Sequence, residues 1–317
     1  MPTVYFAKFN INEKIYSVYK EKENLTELLN SIYLGINTEV ELQEDVKKKV
    51  TNYKFITLDK KEGVINGRLV AYAPGTHVSY DDESDDVIET KDNKKATYIT
   101  FCFDIHKEII GFVPKNDFGR NQFLDRFKNL VEKMVPEVGE VEIYLESDKQ
   151  ALEEKLKAFK LVQEITIELI PPNNDKELFE VLFNTKPEEL SETGGNKFTF
   201  QIKGSAKKGI NLAANYLKRL AQGVAIGYGK LVANGKNTSD EKITVKSDRD
   251  ALYTKGIAEH NKDSIPQIEE KTRAGVIQLQ ALKIQAYDEN KSLIERMKLK
   301  DKLMKEMIQN EQGTREE

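Results

Sequence analysis

The stretch ATYITFCFDIHKEIIGFV, residues 96–113, decides the fold. Ile99, Phe101 and Phe103 alternate with smaller or polar residues, a polar turn follows, and a second apolar run begins at Ile109. This pattern predicts two antiparallel strands joined by a short turn. Cys102 lies in the first strand and is the single cysteine of the chain, which excludes an internal disulfide and predicts a buried, inert thiol.

Downstream of these strands, the apolar spacing predicts a helix, a strand, a second helix and a further strand. The first helix has an apolar stripe over 123–134, and the strand follows at 141–145. Ser147 and Gln150 match a capping box, which predicts that the second helix begins there. The last strand covers 165–169 and ends before two prolines. The order ββαβαβ predicts an α+β fold, with helices packed on a mixed or antiparallel sheet.

Upstream, the chain alternates as a strand over 4–11, has helical spacing over 24–34, and returns to paired strands at 53–58 and 64–72. Residues 74–96 interrupt this pattern with six acids in one short stretch. Such a segment is too polar to bury, so we expect a mobile acidic loop. Its carboxylates lack the turn-forming glycine that a calcium loop requires.

Composition shifts divide the chain into three parts. SETGGN at 191–196 is the best linker candidate, so we expect an α+β domain over 1–190 and a basic nucleic-acid-binding region over 197–260. The remaining segment, 261–317, is rich in helix formers with irregular heptads. It predicts a helix or helical hairpin that docks on its own chain or on a second copy.

Positive charge is gathered in one window of the sequence, Lys197 to Gly256. It contains twelve Lys and Arg residues against four carboxylates, a local net charge of +8 in a chain whose formal net charge is −4. Such an asymmetry is typical of a protein with a polyanionic partner. We expect this partner to be nucleic acid, and DNA rather than RNA.

Within this window, the pattern predicts a strand over 198–203, an amphipathic helix over 210–221 and a hairpin arm over 223–236 that turns at Asn234-Gly235. The basic side chains of these elements are the predicted phosphate contacts. They are Lys203, Lys207, Lys208, Lys218, Arg219, Lys230, Lys236, Lys242, Lys246 and Arg249. Contacts of this kind hold the phosphate backbone without reading bases.

Other readings of the same residues stay open. The lysines could form a solvated face paired with acids of the same chain, or meet an acidic protein partner, as a scaffold would. Gln201 and Lys203 have the two-residue spacing of a metal-dependent nuclease strand, with Glu189 and Glu192 as conceivable acids. We predict no catalytic residue, no metal site and no cofactor, since the three histidines are isolated and no nucleophile and base stand together.

Gly223, Gly227 and Gly229 fit neither of the two common phosphate-loop spacings, so we expect bends or bulges at these positions. The chain shows no secretion signal and no run of about 18 apolar residues. These features predict a cytoplasmic protein with no direct membrane insertion.

Two stretches carry a resemblance to a known family: IIGFVPKNDFGRNQFLDRF at 109–127 and VQEITIELIPPNND at 162–175. Together with the terminal helical segment, their order resembles the Rex A family of phage exclusion proteins and similar bacterial anti-phage defence proteins. The resemblance implies a cytoplasmic, homodimeric DNA-binding sensor that signals phage infection to an effector, and some of these defence proteins act beside a small membrane protein. From the basic residues we expect the DNA binding to be sequence-tolerant. It supplies no catalytic residues, and the acidic segment 80–89 departs from it.

Overall fold

The computed structural model describes residues 2–46, 49–173 and 175–284 and has an α+β fold built on two antiparallel sheets. In chain order the strands are β1 (Thr3–Ile11), β2 (Leu42–Val46), β3 (Lys49–Lys61), β4 (Val64–Asp81), β5 (Asp86–Asp104), β6 (Ile109–Phe112), β7 (Val141–Leu145), β8 (Phe159–Leu169), β9 (Phe198–Lys203), β10 (Gly229–Asn237), β11 (Lys242–Lys246) and β12 (Thr254–Gly256). The predicted fold class is confirmed, and every strand pair that is described is antiparallel.

Helices of four residues or more cover both sheets. They are α1 (Ile15–Tyr19), α2 (Leu25–Gly35), α3 (Arg120–Met134), α4 (Lys149–Lys157), α5 (Lys176–Phe183), α6 (Pro187–Ser191), α7 (Asn215–Ala225), α8 (Ser247–Asp250) and α9, which covers 265–284. The predicted helical positions beyond 284 lie outside the described residues. No helix within the described ranges is long and apolar enough to cross a membrane.

The first sheet has the strand order β12-β1-β6-β5-β4-β3-β2, and β7 also pairs with β1. Because side chains alternate along β1, Phe9 belongs to the core under α2 and α3, whereas Phe6 belongs to a second core under α9. Phe127 of α3 is fully buried against the rings of Phe55, Phe101 and Phe103. Burial of one such ring stabilises the fold by about 1.5–3 kcal/mol.

The second sheet has the order β11-β10-β8-β9 and is covered on one face by α4 and α7. Strand β8 precedes the predicted linker at 191–196, and strands β9, β10 and β11 follow it. The predicted linker therefore lies within one sheet-forming unit and does not separate two units. Strand β12 then returns to pair with β1, which ties the basic region to the first sheet.

The acidic segment 74–96 is not a loop. Strands β4 and β5 stay paired to Asp81 and Asp86, so the chain turns only at 82–85. The pairing of β4 with β3 ends at Tyr72, and that of β5 with β6 begins at Phe101. We call the two-stranded ribbon over 74–96 the arm. The acids are compatible with strands because a ribbon needs cross-strand backbone hydrogen bonds and no buried face.

Two local predictions about turns and caps are wrong. Asp148, and not Ser147, caps α4, because its carboxylate accepts a hydrogen bond of 3.0 Å from the Ala151 amide. The Ser147 hydroxyl instead donates to the Val224 carbonyl. Asn234-Gly235 does not form a turn, since it lies inside β10 between β8 and β11.

Candidate nucleic-acid interface

The face of the second sheet opposite α4 and α7 gathers five of the predicted basic residues. Side chains alternate between the two faces of a strand, and residues in register across strands share a face. Since Ile165 and Ile167 of β8 pack under the helices, the residues between and beside them point to the other side. We call this side the lysine face. Its cations are Lys203, Lys230, Lys236, Lys242 and Lys246.

An ion pair and a hydrogen bond between neighbouring strands agree with this assignment of faces. The Lys230 ammonium lies 3.3 Å from Glu168, its partner in register on β8. The Thr244 hydroxyl donates to the Asn234 amide oxygen over 2.7 Å across β11 and β10. Polar pairs of this kind join strands only when both side chains stand on the same face.

Two carboxylates, Glu164 and Glu168, lie in the middle of the lysine face. Glu168 is shared by Lys230 and the Tyr144 hydroxyl, which donates to it over 3.0 Å. Glu164 accepts a hydrogen bond of 2.5 Å from the Gln201 amide. Within the described residues, Lys203, Lys236, Lys242 and Lys246 form no ion pair, so the lysine face keeps an excess of positive charge.

The other five predicted contacts are divided among three places. Lys207 and Lys208 are exposed in the turn that follows β9, next to Lys203. Lys218 and Arg219 belong to α7, on the opposite face of the sheet from the lysine face. Arg249 is paired with Asp250 over 2.9 Å.

Arg219 is unsuited to phosphate binding for a local reason. Its guanidinium lies 5.3 Å from the centre of the Tyr216 ring and donates weakly to Asn184 over 3.5 Å. Burial of the group lowers the pKa of Arg219, and the buried Nε has no hydrogen-bond partner among the described residues. The structure thus places Lys218 and Arg219 apart from the five lysines with which the sequence grouped them.

The hairpin that the sequence predicts over 223–236, which is separate from the arm over 74–96, is absent from the described structure. Residues up to Ala225 continue α7, and β10 begins at Gly229. Gly235 is required by a close approach, because a Cβ at this position would lie 2.1 Å from the Leu161 carbonyl oxygen at a β-bulge. The turn between β10 and β11 is instead closed by Asn237, whose side chain accepts from the Ser239 and Glu241 amides.

The expected bend near Gly227 has a specific cause. Gly227 follows α7 with φ of +89°, a region that favours glycine. A Cβ there would also lie 2.8 Å from the Lys8 Cβ and 3.0 Å from Glu146 Oε1. Gly227 therefore leaves room for a charged cluster that the sequence did not reveal.

That charged cluster lies where the two sheets meet. Lys8 of β1 is ion-paired with Glu108, and the Asn173 amide donates to the same carboxylate over 2.8 Å. Lys283 of α9 lies 2.5 Å from Glu146, which is fully buried. Burial is the largest influence on the pKa of Lys283 and lowers it. The cluster was missed because its members come from five distant positions in the sequence.

Nothing in the described part of the chain forms a group of three or more His, Cys, Asp or Glu residues able to hold a metal ion. Glu189 is engaged by the Thr185 hydroxyl over 2.5 Å on and beside α6. Glu164 is the acid that stands next to Gln201. The pairing of Gln201 and Lys203 with an upstream Glu189 or Glu192 is therefore not seen in these contacts.

Comparison with known families adds one decisive match. A family described as a domain of unknown function, DUF4747, matches residues 3–264. The chain belongs to the DUF4747 family. The match includes both sheets and ends one residue before α9 begins. A search of curated proteins found no match for this DUF4747 chain.

Proposed function

We propose that this DUF4747 protein binds nucleic acid through the lysine face, with DNA as the preferred partner and with little dependence on base sequence. One observation carries the proposal: five lysines from three strands of the second sheet, β9, β10 and β11, share one face, and four of them have no carboxylate partner among the described residues. Each phosphate that a lysine neutralises releases condensed counterions, which favours binding to any duplex.

The chemistry of the lysine face supports backbone contacts over base reading. Its cations are all lysines, which act as mobile point charges and lack the planar fork by which arginine recognises guanine. The residues between them include Thr166 and Thr199, whose hydroxyls can also donate to phosphate oxygens. Glu164 and Glu168 repel phosphates in the centre of the face, so contacts are expected along its margins, at β9 and at β10 with β11.

The test compares two charge-matched variants on a labelled duplex of about 30 base pairs and on an RNA of the same sequence, by fluorescence anisotropy. The first variant carries Lys236→Glu, Lys242→Glu and Lys246→Glu. The control carries Lys20→Glu, Lys22→Glu and Lys61→Glu, three exposed lysines of the first half of the chain. We expect at least about a hundredfold loss of affinity in the first variant alone. Equal affinities of the wild type and the first variant would contradict the proposal.

The cellular setting is part of the proposal and is supported by the Rex A resemblance alone. In this setting the cytoplasmic protein senses phage DNA and signals to a membrane-protein effector. Expression of the intact locus should lower phage plating efficiency, and the Lys236→Glu, Lys242→Glu, Lys246→Glu variant should restore it at equal protein level. If this variant protects against phage as well as the wild type does, the lysine face is not needed for defence.

Nucleic-acid cleavage is a second candidate function, favoured by one contact. Gln201 bonds to Glu164 on the neighbouring antiparallel strand, and Lys203 stands in register with the same glutamate. A carboxylate beside a lysine can bind a divalent ion and orient the attacking water. Plasmid incubated with Mg²⁺ or Mn²⁺ should lose its supercoiled form with the wild type and keep it with Lys203→Ala. An intact plasmid in both reactions would remove this candidate.

A further inference from the structure

The arm carries an exposed apolar surface at its tip. Tyr80 pairs with Val87 and Val78 pairs with Glu89, so these side chains share one face of the ribbon. The exposed fractions of Val78, Tyr80 and Val87 are 53%, 60% and 59%. Every residue from 82 to 92 is exposed. Large apolar side chains grouped on a projecting ribbon with two free edges are typical of a surface that a partner covers.

The tip of the arm is also strongly acidic. Its carboxylates are Asp81, Asp82, Glu83, Asp85, Asp86 and Glu89. Asp81 and Asp85 hold the turn together, through the Ser84 hydroxyl at 2.6 Å and through the Tyr80 hydroxyl. No hydrogen bond or ion pair within the described residues engages the side chains of Asp82, Glu83 or Glu89, which leaves them available to cations of a partner.

A groove of matching character lies between α4 and α7, on the side of the second sheet away from the lysine face. It has a volume of about 540 Å³, within the size range of ligand sites. Ile167 and Leu231 of the sheet form its floor, and Leu156 and Leu217 of the two helices line its walls. Lys157 and Lys218, which are both exposed, line the groove together with Lys149 and one acid, Glu153, so its charged lining is positive on balance.

We propose that the tip of the arm of one copy of the chain docks in the α4–α7 groove of a second copy. Tyr80 and Val87 would cover the apolar lining, and the tip carboxylates would face Lys157 and Lys218. The lysine face offers matching charge but consists mainly of polar side chains, with Val232 as an exception, so it would leave most of the apolar surface of Tyr80 and Val87 exposed to water. Reciprocal exchange of two arms closes a symmetric dimer with two such contacts.

This inference does not depend on the proposed nucleic-acid binding, because the groove and the lysine face lie on opposite sides of the second sheet. It also gives Lys218 a role other than the phosphate contact that the sequence predicted. The arm, for its part, gains a reason to combine many acids with exposed Tyr and Val side chains.

Two variants of the full chain test the docking by charge exchange. The arm variant carries Asp82→Lys, Glu83→Lys and Glu89→Lys, which spare the turn-forming acids. The groove variant carries Lys157→Glu and Lys218→Glu. The groove variant alone places acids opposite acids at both contacts. The arm variant alone replaces the three tip acids that have no partner within the described residues by lysines, which face the groove lysines at both contacts. A mixture of the two restores opposite charges at both contacts of a mixed dimer.

The measurement is the molar mass in solution by light scattering after size exclusion, at about 50 μM chain, a concentration at which micromolar complexes form. We expect the wild type and the mixture to have the mass of a dimer, and each variant alone that of a monomer. The variant with Lys236→Glu, Lys242→Glu and Lys246→Glu on the lysine face should remain dimeric. A monomeric wild type, dimeric single variants or a monomeric mixture would each overturn the proposal. The occupant of the groove would then be something other than the arm of a second copy, such as a small amphiphile or another protein.

A second variant guards against a charge change that disturbs the fold. Val78→Ser with Val87→Ser alters only exposed side chains of the same face and keeps the turn contact between Tyr80 and Asp85. It should raise the dimer dissociation constant by at least about tenfold. Circular dichroism should be unchanged in all variants. Duplex binding is measured on the same samples, so a failure of docking is distinguished from a failure of nucleic-acid binding.

Discussion

The Lys283 ammonium lies 2.5 Å from a carboxylate oxygen of Glu146, whose side chain is fully buried at the junction of the two sheets. The other oxygen of Glu146 has no hydrogen-bond partner among the described residues. Lys283 is therefore the cation that balances this carboxylate from α9, with Lys8 nearby. Through this pair, α9 is joined to the end of β7 as well as to the apolar core under β1.

Removal of Lys283 should destabilise the protein strongly. Lys283→Ala leaves Glu146 buried without its partner, and the loss of one member of a buried ion pair costs about 3–5 kcal/mol in the free energy of unfolding. Urea denaturation followed by circular dichroism measures the change. The double variant Lys283→Met, Glu146→Leu removes both charges and should recover most of the loss. A loss below about 1 kcal/mol for Lys283→Ala would show that water already solvates this carboxylate.

Gly227→Ala should also destabilise the folded protein, through an unfavourable positive φ and through overpacking. The same substitution at Gly194 distinguishes the two effects. Gly227 and Gly194 both have positive φ, +89° and +69°, but a Cβ at Gly227 meets Lys8 and Glu146, whereas a Cβ at Gly194 meets nothing within 4 Å. Positive φ alone costs about 1–2 kcal/mol, and overpacking adds about 1–3 kcal/mol. Gly194→Ala is the matched control, and thermal unfolding is the measurement. Equal shifts in the two variants would mean that the cluster yields to the added methyl group.

The elements that follow from the spacing of apolar residues along the sequence were predictable, and the features that depend on which strands pair were not. The 123–134 stripe became α3 and the 165–169 alternation became part of β8 because each repeat matches one element. The arm was missed because the polarity of 74–96 reports exposure, while its strand conformation depends on which segment it pairs with. Exposure and backbone order are separate properties.

The candidate site was predictable to the same extent. Alternation along 198–203 placed Lys203 outward, but the order β11-β10-β8-β9 decides that it shares a face with Lys242 and Lys246. The two Glu residues between them were visible in VQEITIEL as the polar positions of the alternation. Their neighbours in space were not, because 28 residues lie between the end of β8 at Leu169 and the start of β9 at Phe198.

Salt dependence should report the number of lysines that contact phosphate. The slope of the logarithm of the DNA association constant against the logarithm of salt concentration changes by about 0.9 for each phosphate contact. The slope is negative, so Lys242→Ala and Lys246→Ala should each reduce its magnitude by about this amount, and the double variant by about 1.8. Lys218→Ala on the opposite side of the sheet should leave the slope unchanged. The same slope in the wild type and in all four variants would mean that DNA binds elsewhere on the protein.

Cys102 should resist thiol reagents in the native protein. The side chain is 1% exposed, and burial raises its pKa to about 12. Because the thiolate is the reactive form, native Cys102 should react with an aromatic disulfide reagent at pH 8 at least about a hundredfold more slowly than the urea-unfolded chain. Stopped-flow absorbance measures both rates. Similar rates would reveal frequent opening of the core under α9.

The same thiol should lower stability at high pH. In the unfolded chain Cys102 loses its proton near pH 8.5, whereas in the folded chain it keeps the proton up to about pH 12. The folded state therefore binds more protons in this window, so the free energy of unfolding falls as pH rises, by up to about 1.4 kcal/mol per pH unit. Other groups titrate in the same range, and Cys102→Ala removes only the contribution of the thiol. Urea midpoints at pH 8 and pH 10 should thus converge in the variant relative to the wild type, and an identical difference in both proteins would show that the thiol ionises without unfolding.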